Sequence, residues 1–171
     1  MSDMPADSFE AAEKCLDLTA ARLQDYPQER ARVARLIAHI QRGMEQSASL
    51  RLKAFGLNYS AYNAVMMLYG APDYSCSASE LSDATGEKRT NITRISDELL
   101  AAGFIERHQA LDDRRKVILR LTEKGRQTAE AAQPTMWASL EALYGGFTPA
   151  EMQEFLRLLK KQLAHMDRRE D

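Results

Sequence analysis

Hydrophobic residues recur at helical spacing along most of the chain. The clearest stripe runs from Val33 to Met44 and places apolar side chains at every third or fourth position, which is the period of an amphipathic helix. Stripes of the same period predict a short helix before it, another helix over Ala61–Tyr69, and two long helices after residue 122. The pattern therefore favours a mostly helical protein.

Two short helices joined by a tight turn are predicted in the middle of the chain. Ser77 and Glu80 have the spacing of a capping box, in which side chains and backbone amides at a helix start satisfy each other. This helix is expected to end at Gly86, and a second is expected over Lys88–Ala102, before Gly103. Such a pair is typical of a helix-turn-helix motif.

The hydrophobic period changes after residue 103. Phe104–His108 and Lys116–Leu121 are rich in β-branched residues and partly alternate, so they predict an antiparallel hairpin with a charged tip. Thr148 and Glu151 repeat the capping-box spacing and predict the start of the last helix. The predicted fold class is mostly α (α+β), a winged helix-turn-helix with flanking N- and C-terminal helices.

The flanking helices carry more apolar surface than a monomer of this size needs, so we expect them to pair with those of a second copy. The predicted organisation has N-terminal dimerisation helices over 1–57, a winged helix-turn-helix DNA-binding domain over 58–122 and C-terminal dimerisation helices over 123–171. These three parts are expected to form one continuous structural unit.

Composition narrows the class of protein. The 171 residues suit one compact domain with appended helices, and no apolar run is long enough to span a bilayer. The N-terminus lacks a signal peptide pattern, which predicts a cytoplasmic protein. The net charge is −2, yet residues 88–126 hold ten Lys or Arg against six Asp or Glu. This central basic block is compatible with nucleic-acid binding.

The second helix of the motif divides into two faces on a helical wheel of about 100° per residue. Its apolar residues share the inward face, and the other side carries Arg89, Thr90, Asn91, Thr93, Arg94 and Asp97. Arg, Asn and Thr are the side chains that contact base edges in a major groove. A face selected only for solubility would favour Lys and Glu, so we interpret this one as a DNA-reading surface.

The predicted hairpin tip is also basic. Arg114, Arg115 and Lys116 could reach phosphates or enter a minor groove, where the negative potential attracts arginine. One of Asp112 and Asp113 could pair with an arginine and hold the tip in shape. The alternative is a charged loop without a function.

At these two segments the sequence resembles a known family. Asp113–Thr122 is similar to the Asp-x-Arg wing signature of the MarR family of bacterial regulators, and Arg89–Leu99 resembles the recognition helix of its EmrR/MprA-type efflux repressors. The resemblance implies a homodimer on a palindromic operator in double-stranded DNA. It also implies that Arg115 enters the minor groove, that Asp113 supports it, and that Arg89, Thr90, Asn91, Thr93 and Arg94 lie in the major groove.

The resemblance further implies repression that small aromatic or phenolic compounds relieve, such as a salicylate-like phenol, at a pocket between the dimerisation and DNA-binding parts. The candidate pocket residues combine adaptable thioethers and aromatic rings with a cation or an imidazole. They are His39, Arg42, Met44, Tyr59, Tyr62 and Met66. The alternative is that these side chains only belong to the core.

The sequence favours three other functions less. A redox sensor through Cys15 is one, but Asp17 and Glu13 oppose the activating charge of Lys14, which favours a plain thiol. A winged-helix adaptor without DNA binding is another, although an adaptor surface is more often apolar at its centre. The chain is not expected to be an enzyme or to hold a cofactor or metal, since its three histidines are scattered and no phosphate-binding loop is present.

Overall fold

The computed structural model describes residues 9–109 and 116–168, which form seven α-helices and a three-stranded antiparallel sheet. The predicted fold class is confirmed. No helix in these two ranges is both long and apolar enough to cross a membrane. In chain order the elements are α1 (Glu10–Arg22), α2 (Gln28–Leu52), α3 (Tyr59–Gly70), β1 (Ser75–Ser77), α4 (Ala78–Thr85), α5 (Arg89–Ala101), β2 (Ile105–Gln109), β3 (Val117–Leu121), α6 (Glu123–Tyr144) and α7 (Pro149–Asp167).

The chain divides into two compact units, and the first is Met1–Tyr59. Here α1 packs against α2, and the guanidinium of Arg32 on α2 reaches Asp17 on α1 at 3.2 Å. The predicted stripe that begins at Val33 lies on α2, but Val33 and Ile40 are 51% and 49% exposed. The residues that the structure describes therefore leave much of the apolar face of α2 exposed.

The second unit, Ser60–Asp171, contains the helix-turn-helix and the sheet. Leu81 of α4 and Ile95 of α5 are fully buried where these two helices pack together. Gly86 ends α4 with a φ of 70°, a left-handed conformation that glycine adopts without the strain of a Cβ. The predicted turn and both helices are present, with α5 one residue shorter at each end than expected.

The sheet has the strand order β1-β3-β2. Leu119 in the central strand pairs with Cys76 on one side and Arg107 on the other. The sequence predicted only the β2–β3 hairpin, because three residues are too few to display a strand period. Ser77 ends β1 and is also the N-cap of α4, so this short strand fixes the start of α4 against the sheet.

Burial decreases along the hairpin away from the core. Ile105, Leu119 and Leu121 are buried, whereas Gln109 and Val117, which pair with each other, are exposed. The outer end of the hairpin thus extends away from the core. The predicted tip, residues 110–115, lies outside the described residues.

The start of α6 is held against the end of the helix-turn-helix. The hydroxyl of Thr122 accepts a hydrogen bond from the Gly125 amide at 3.1 Å and donates to the Gly103 carbonyl at 2.8 Å. A Cβ at Gly125 would lie only 2.1 Å from the carbonyl oxygen of Phe104. The backbones of α6 and of the segment before β2 therefore approach too closely for any side chain at this position.

Candidate nucleic-acid interface

The described structure gives α5 one buried face and one exposed face. Ile92, Ile95 and Leu99 are at most 2% exposed. The other side presents Arg89, Thr90, Thr93 and Arg94 to solvent, and Asn91 is half-buried beside them. The helix thus has the division that the wheel predicted, with polar and cationic groups outward.

The N-terminal end of α5 has an unusual charge. Lys88 is its N-cap and makes no side-chain capping bond, Arg89 follows, and the first turn contains no acidic residue. A helix N-terminus carries a partial positive charge, so two cations there oppose the usual preference for Asp or Glu. The N-terminal end of α5 and these two cations together form a site that attracts anions such as phosphate.

Hydrogen bonds connect the predicted reading residues to each other. The side chain of Arg94 donates to Asn91 Oδ1 from Nε at 3.1 Å and from Nη2 at 2.8 Å, and its Nη1 pairs with Glu98. Asn91 Nδ2 in turn donates to Glu87 Oε2 at 2.5 Å. Arg94 is half-exposed within this chain of contacts, so its guanidinium is ordered but still accessible.

Glu87 was not among the predicted site residues. It lies in the turn before α5 and is half-buried. The one sequence signal that could have indicated it is its position four residues before Asn91, a spacing that brings side chains together on a helical path.

An ion pair connects α5 to the hairpin. Arg107 Nη2 on β2 lies 2.7 Å from Asp97 Oδ1 on the outward side of α5. Asp97 thus braces the hairpin against the helix, which explains a carboxylate on an otherwise cationic surface. Of the predicted tip residues, Lys116 is exposed next to β3, and Asp113, Arg114 and Arg115 lie outside the described residues.

The predicted effector residues belong to both units. In the first unit, the ring of His39 packs edge-on against Phe9 with centroids 5.6 Å apart, and Arg42, Met44 and Tyr59 lie further along the chain. In the second unit, Tyr62 is buried, and Met66 Sδ accepts a hydrogen bond from Gln133 at 2.9 Å.

The two cysteines have different surroundings. Cys15 is exposed on α1, and the neighbouring Lys14 forms an ion pair with Glu10 at 2.5 Å, which neutralises the nearest cation in sequence. Cys76 is half-buried in β1, where burial and then the charge of Glu80 raise the pKa of its thiol. A raised pKa makes Cys76 a poor nucleophile at neutral pH.

Known proteins of similar sequence are bacterial regulators. The family model described as the MarR family matches residues 57–117. The transcriptional repressor MprA of Escherichia coli K12 is 34% identical over 163 residues, covering 95% of this chain and 93% of MprA. The regulator PapX of Escherichia coli is 34% identical over 143 residues, covering 82% of this chain and 85% of its own.

Solved structures share the fold. AbsC, a MarR family transcriptional regulator from Streptomyces coelicolor, superposes with a TM-score of 0.75 at 23% identity, over 85% of this chain and 97% of AbsC. A mutant MarR from Escherichia coli, complexed with operator DNA, superposes with a TM-score of 0.73 at 23% identity, over 82% of this chain and 99% of its own.

Proposed function

Because the chain belongs to the MarR family of transcriptional regulators, we propose that it is a homodimeric repressor that binds a palindromic operator and is released by a small aromatic compound. That it is a DNA-binding transcriptional regulator and not an enzyme follows from the family itself. The outward face of α5 is the observation that carries the proposal.

The chemistry of α5 suits a major groove. Arginine recognises guanine, and threonine contacts the thymine methyl group. Recognition helices use their N-terminal residues for this purpose, and Arg89, Thr90 and Arg94 are exposed in the first half of α5. The cationic N-terminus of the helix would meanwhile contact phosphate and fix the register of the protein on the duplex.

The hairpin is proposed to act beside the helix. Its β2 strand is braced to α5 through the Arg107–Asp97 pair, so helix and arm can approach DNA as one body. We assign Arg114, Arg115 and Lys116 to phosphates and the minor groove, with Asp113 as the supporting carboxylate. For the tip residues this assignment rests on their resemblance to the family's wing signature.

A second copy of the chain is proposed to cover α7. None of the 19 residues of α7 is buried, although Leu156, Leu159, Leu163 and Met166 form an apolar stripe along it. An isolated amphipathic helix of this length is marginally stable in water, so its apolar face needs a partner. A two-fold dimer would present two recognition helices about 34–36 Å apart, which suits a palindrome.

The effector is proposed to be a salicylate-like phenol and the regulated genes a multidrug-efflux or stress-resistance operon. Support comes from the EmrR/MprA-type recognition helix and from the adaptable side chains of Tyr62 and Met66. Thermal shift with a panel of phenols tests the effector, because a ligand of the folded state raises the unfolding midpoint by mass action. Mapping the genomic sites that the protein occupies tests the operon.

DNA reading is tested by substitution of Arg94. A duplex enriched from a random-sequence library by the unsubstituted protein serves as the probe. Arg94→Ala should lower discrimination at one base position in each half-site by about ten- to a hundredfold. Arg89→Ala should weaken binding to all sequences and reduce the slope of log Kd against log salt by about one per half-site.

The matched control is Arg157→Ala. Arg157 is also an exposed helical arginine paired with a glutamate, Glu154, but it lies on α7. Its removal should leave base preference unchanged. Binding that does not depend on salt, or no enrichment of any duplex, would favour an adaptor without DNA binding.

A further inference from the structure

Every polar group of Glu87, in its backbone and its side chain, takes part in a hydrogen bond. Its carbonyl oxygen accepts a hydrogen bond from the hydroxyl of buried Ser82 at 2.6 Å, and its amide donates to Thr85 Oγ1 at 3.3 Å. Its carboxylate accepts from Ser60 at Oε1, 3.1 Å, and from Asn91 at Oε2, 2.5 Å. Glu87 is half-buried and makes four hydrogen bonds, two through its backbone and two through its carboxylate, so this carboxylate has a fixed position in the turn before α5.

This fixed carboxylate determines which way the amide of Asn91 points. An ionised carboxylate can only accept hydrogen bonds, so Asn91 must direct its Nδ2 group toward Glu87. Its Oδ1 atom then faces the opposite way and accepts from both Nε and Nη2 of Arg94. The reverse orientation would bring an amide oxygen against a carboxylate oxygen and turn a donor toward the guanidinium.

The same contacts leave Asn91 poorly available for a base. A bidentate contact with adenine needs the amide to accept at its oxygen and donate at its nitrogen. Both lone pairs of Oδ1 are already taken by Arg94, and one Nδ2 hydrogen is taken by Glu87. Arg94 is the exposed member of the set and Asn91 is half-buried.

We propose that Glu87, acting through Asn91, is a positioning residue that orients Arg94 for base recognition, and that Asn91 supports Arg94 rather than reading a base itself. The inference rests on the proposed function of α5 in DNA reading. Its advantage to binding is preorganisation: a long side chain that is already ordered loses less conformational entropy when it binds. The Glu98 contact of Arg94 is an exposed pair on the helix surface and is readily exchanged for a base or phosphate.

Exchanging the acid and the amide between positions 87 and 91 distinguishes a supporting role of Asn91 from direct base reading by Asn91. Asn91→Asp alone places two carboxylates against each other, so their repulsion should displace the side chain at position 91 and, with it, the guanidinium of Arg94 that is hydrogen-bonded to it. Adding Glu87→Gln restores a donor: the Gln amide donates to the Asp carboxylate, its oxygen accepts from Ser60, and the carboxylate still accepts from Arg94. The net charge of the double variant equals that of the original pair.

The measurement is base discrimination on the library-selected duplex and on its single-position variants, in full-length dimeric protein. Arg94→Ala first identifies the position that Arg94 reads. Asn91→Asp should lower discrimination at that same position by about ten- to a hundredfold, and the double variant should recover it to within about threefold. A ratio of two Kd values cancels any uniform change in affinity, and thermal unfolding of each variant checks that it is folded.

The contrary outcomes are distinct. If Asn91 reads a base directly, Asn91→Asp alters preference at a different position from Arg94→Ala, and Glu87→Gln does not restore it. Unchanged discrimination in the Asn91→Asp variant would equally overturn the role of Glu87. If the unsubstituted protein selects no duplex at all, the proposed function fails as well, and that result is obtained before any variant is made.

Discussion

Ser82 and Ser96 are buried serines in the two helices of the motif, but their hydroxyl groups differ in hydrogen bonding. Ser82 Oγ donates to the Glu87 carbonyl at 2.6 Å. Ser96 Oγ, on α5, has no partner among the described residues, and the residue is 2% exposed. A buried polar atom without a partner loses its bonds to water and gains nothing in exchange.

We expect Ser96→Ala to keep or raise the free energy of unfolding, by up to about 1 kcal/mol, because it removes an unsatisfied hydroxyl. Ser82→Ala should lower it by about 1 kcal/mol, since the Glu87 carbonyl loses its donor. Both changes gain the same helix propensity, so the difference between them isolates the hydrogen bond. Urea unfolding measures both, and equal destabilisation by the two substitutions would contradict the interpretation.

At the residue scale the sequence predicted the faces of α5 but not the contacts on them. A helical wheel depends only on spacing, which is why Ile92, Ile95 and Leu99 could be assigned to the buried face. The orientation of Asn91 depends on a carboxylate in the preceding turn, and a turn has no repeating pattern from which to locate Glu87. Side-chain partners of this kind emerge only from three-dimensional positions.

Helix caps are the elements that the sequence located best, since each cap is a local pattern of four residues. Both predicted capping boxes, at Ser77 and Thr148, are present. Strand β1 was not predicted, because its pairing with β3 joins residues more than forty positions apart in sequence. Such a strand is stabilised by pairing with a distant strand, and its own three residues do not predict it.

The capping box at the start of α4 makes the free energy of unfolding depend on pH. Hydrogen bonds from the backbone and then the side chain of Ser77 lower the pKa of Glu80. The folded state therefore holds the charged form more tightly than the unfolded state does. The stabilisation is complete above the ordinary glutamate pKa and is lost as the pH falls through the lowered, folded-state pKa.

Glu80→Gln should remove this contribution, because an amide can remain in the box but does not titrate in this range. We expect the variant to be less stable than the original protein at neutral pH and the difference to disappear in acid. Chemical unfolding at a series of pH values below 7 measures it. A difference that stays constant down to the lowest pH would show that the charge of Glu80 has no part in the cap.

The junction between the hairpin and α6 depends on the absence of a side chain at Gly125. Gly125→Ala would place a Cβ 2.1 Å from the Phe104 carbonyl oxygen, which must move. We expect a loss of about 1 to 3 kcal/mol in the free energy of unfolding, as for other overpacked sites. Gly43→Ala is the matched control: it lies within α2 with nothing within 4 Å of the new Cβ, and it should stabilise by about 0.5–1 kcal/mol.

At the scale of the whole molecule, the main feature is the apolar surface that the described residues of one copy leave exposed. Leu159 and Leu163 on α7 are 39% and 57% exposed, and Trp137 on α6 is 63% exposed. An exposed apolar stripe such as that of α7 indicates an interaction site. The helical stripes were visible in the sequence, but only the structure could show that no segment of the described chain buries α7.

We therefore expect Leu163→Glu to convert a dimer into a monomer, because a charge within the apolar stripe cannot be buried against a second copy without a large desolvation cost. Sedimentation equilibrium should give half the mass of the original protein. Binding to the library-selected duplex should weaken by about a hundredfold or more, since two linked half-site contacts become independent ones.

Lys161→Glu is the control for this change. It introduces the same residue, but Lys161 lies on the face of α7 opposite to the apolar stripe. It should leave the mass unchanged. If Leu163→Glu remained dimeric, α7 would not be the pairing surface, and the exposed apolar face of α2, at Val33 and Ile40, would become the next candidate. If it became monomeric and still bound the duplex with full affinity, each copy would read DNA alone, and a palindromic operator would no longer be required.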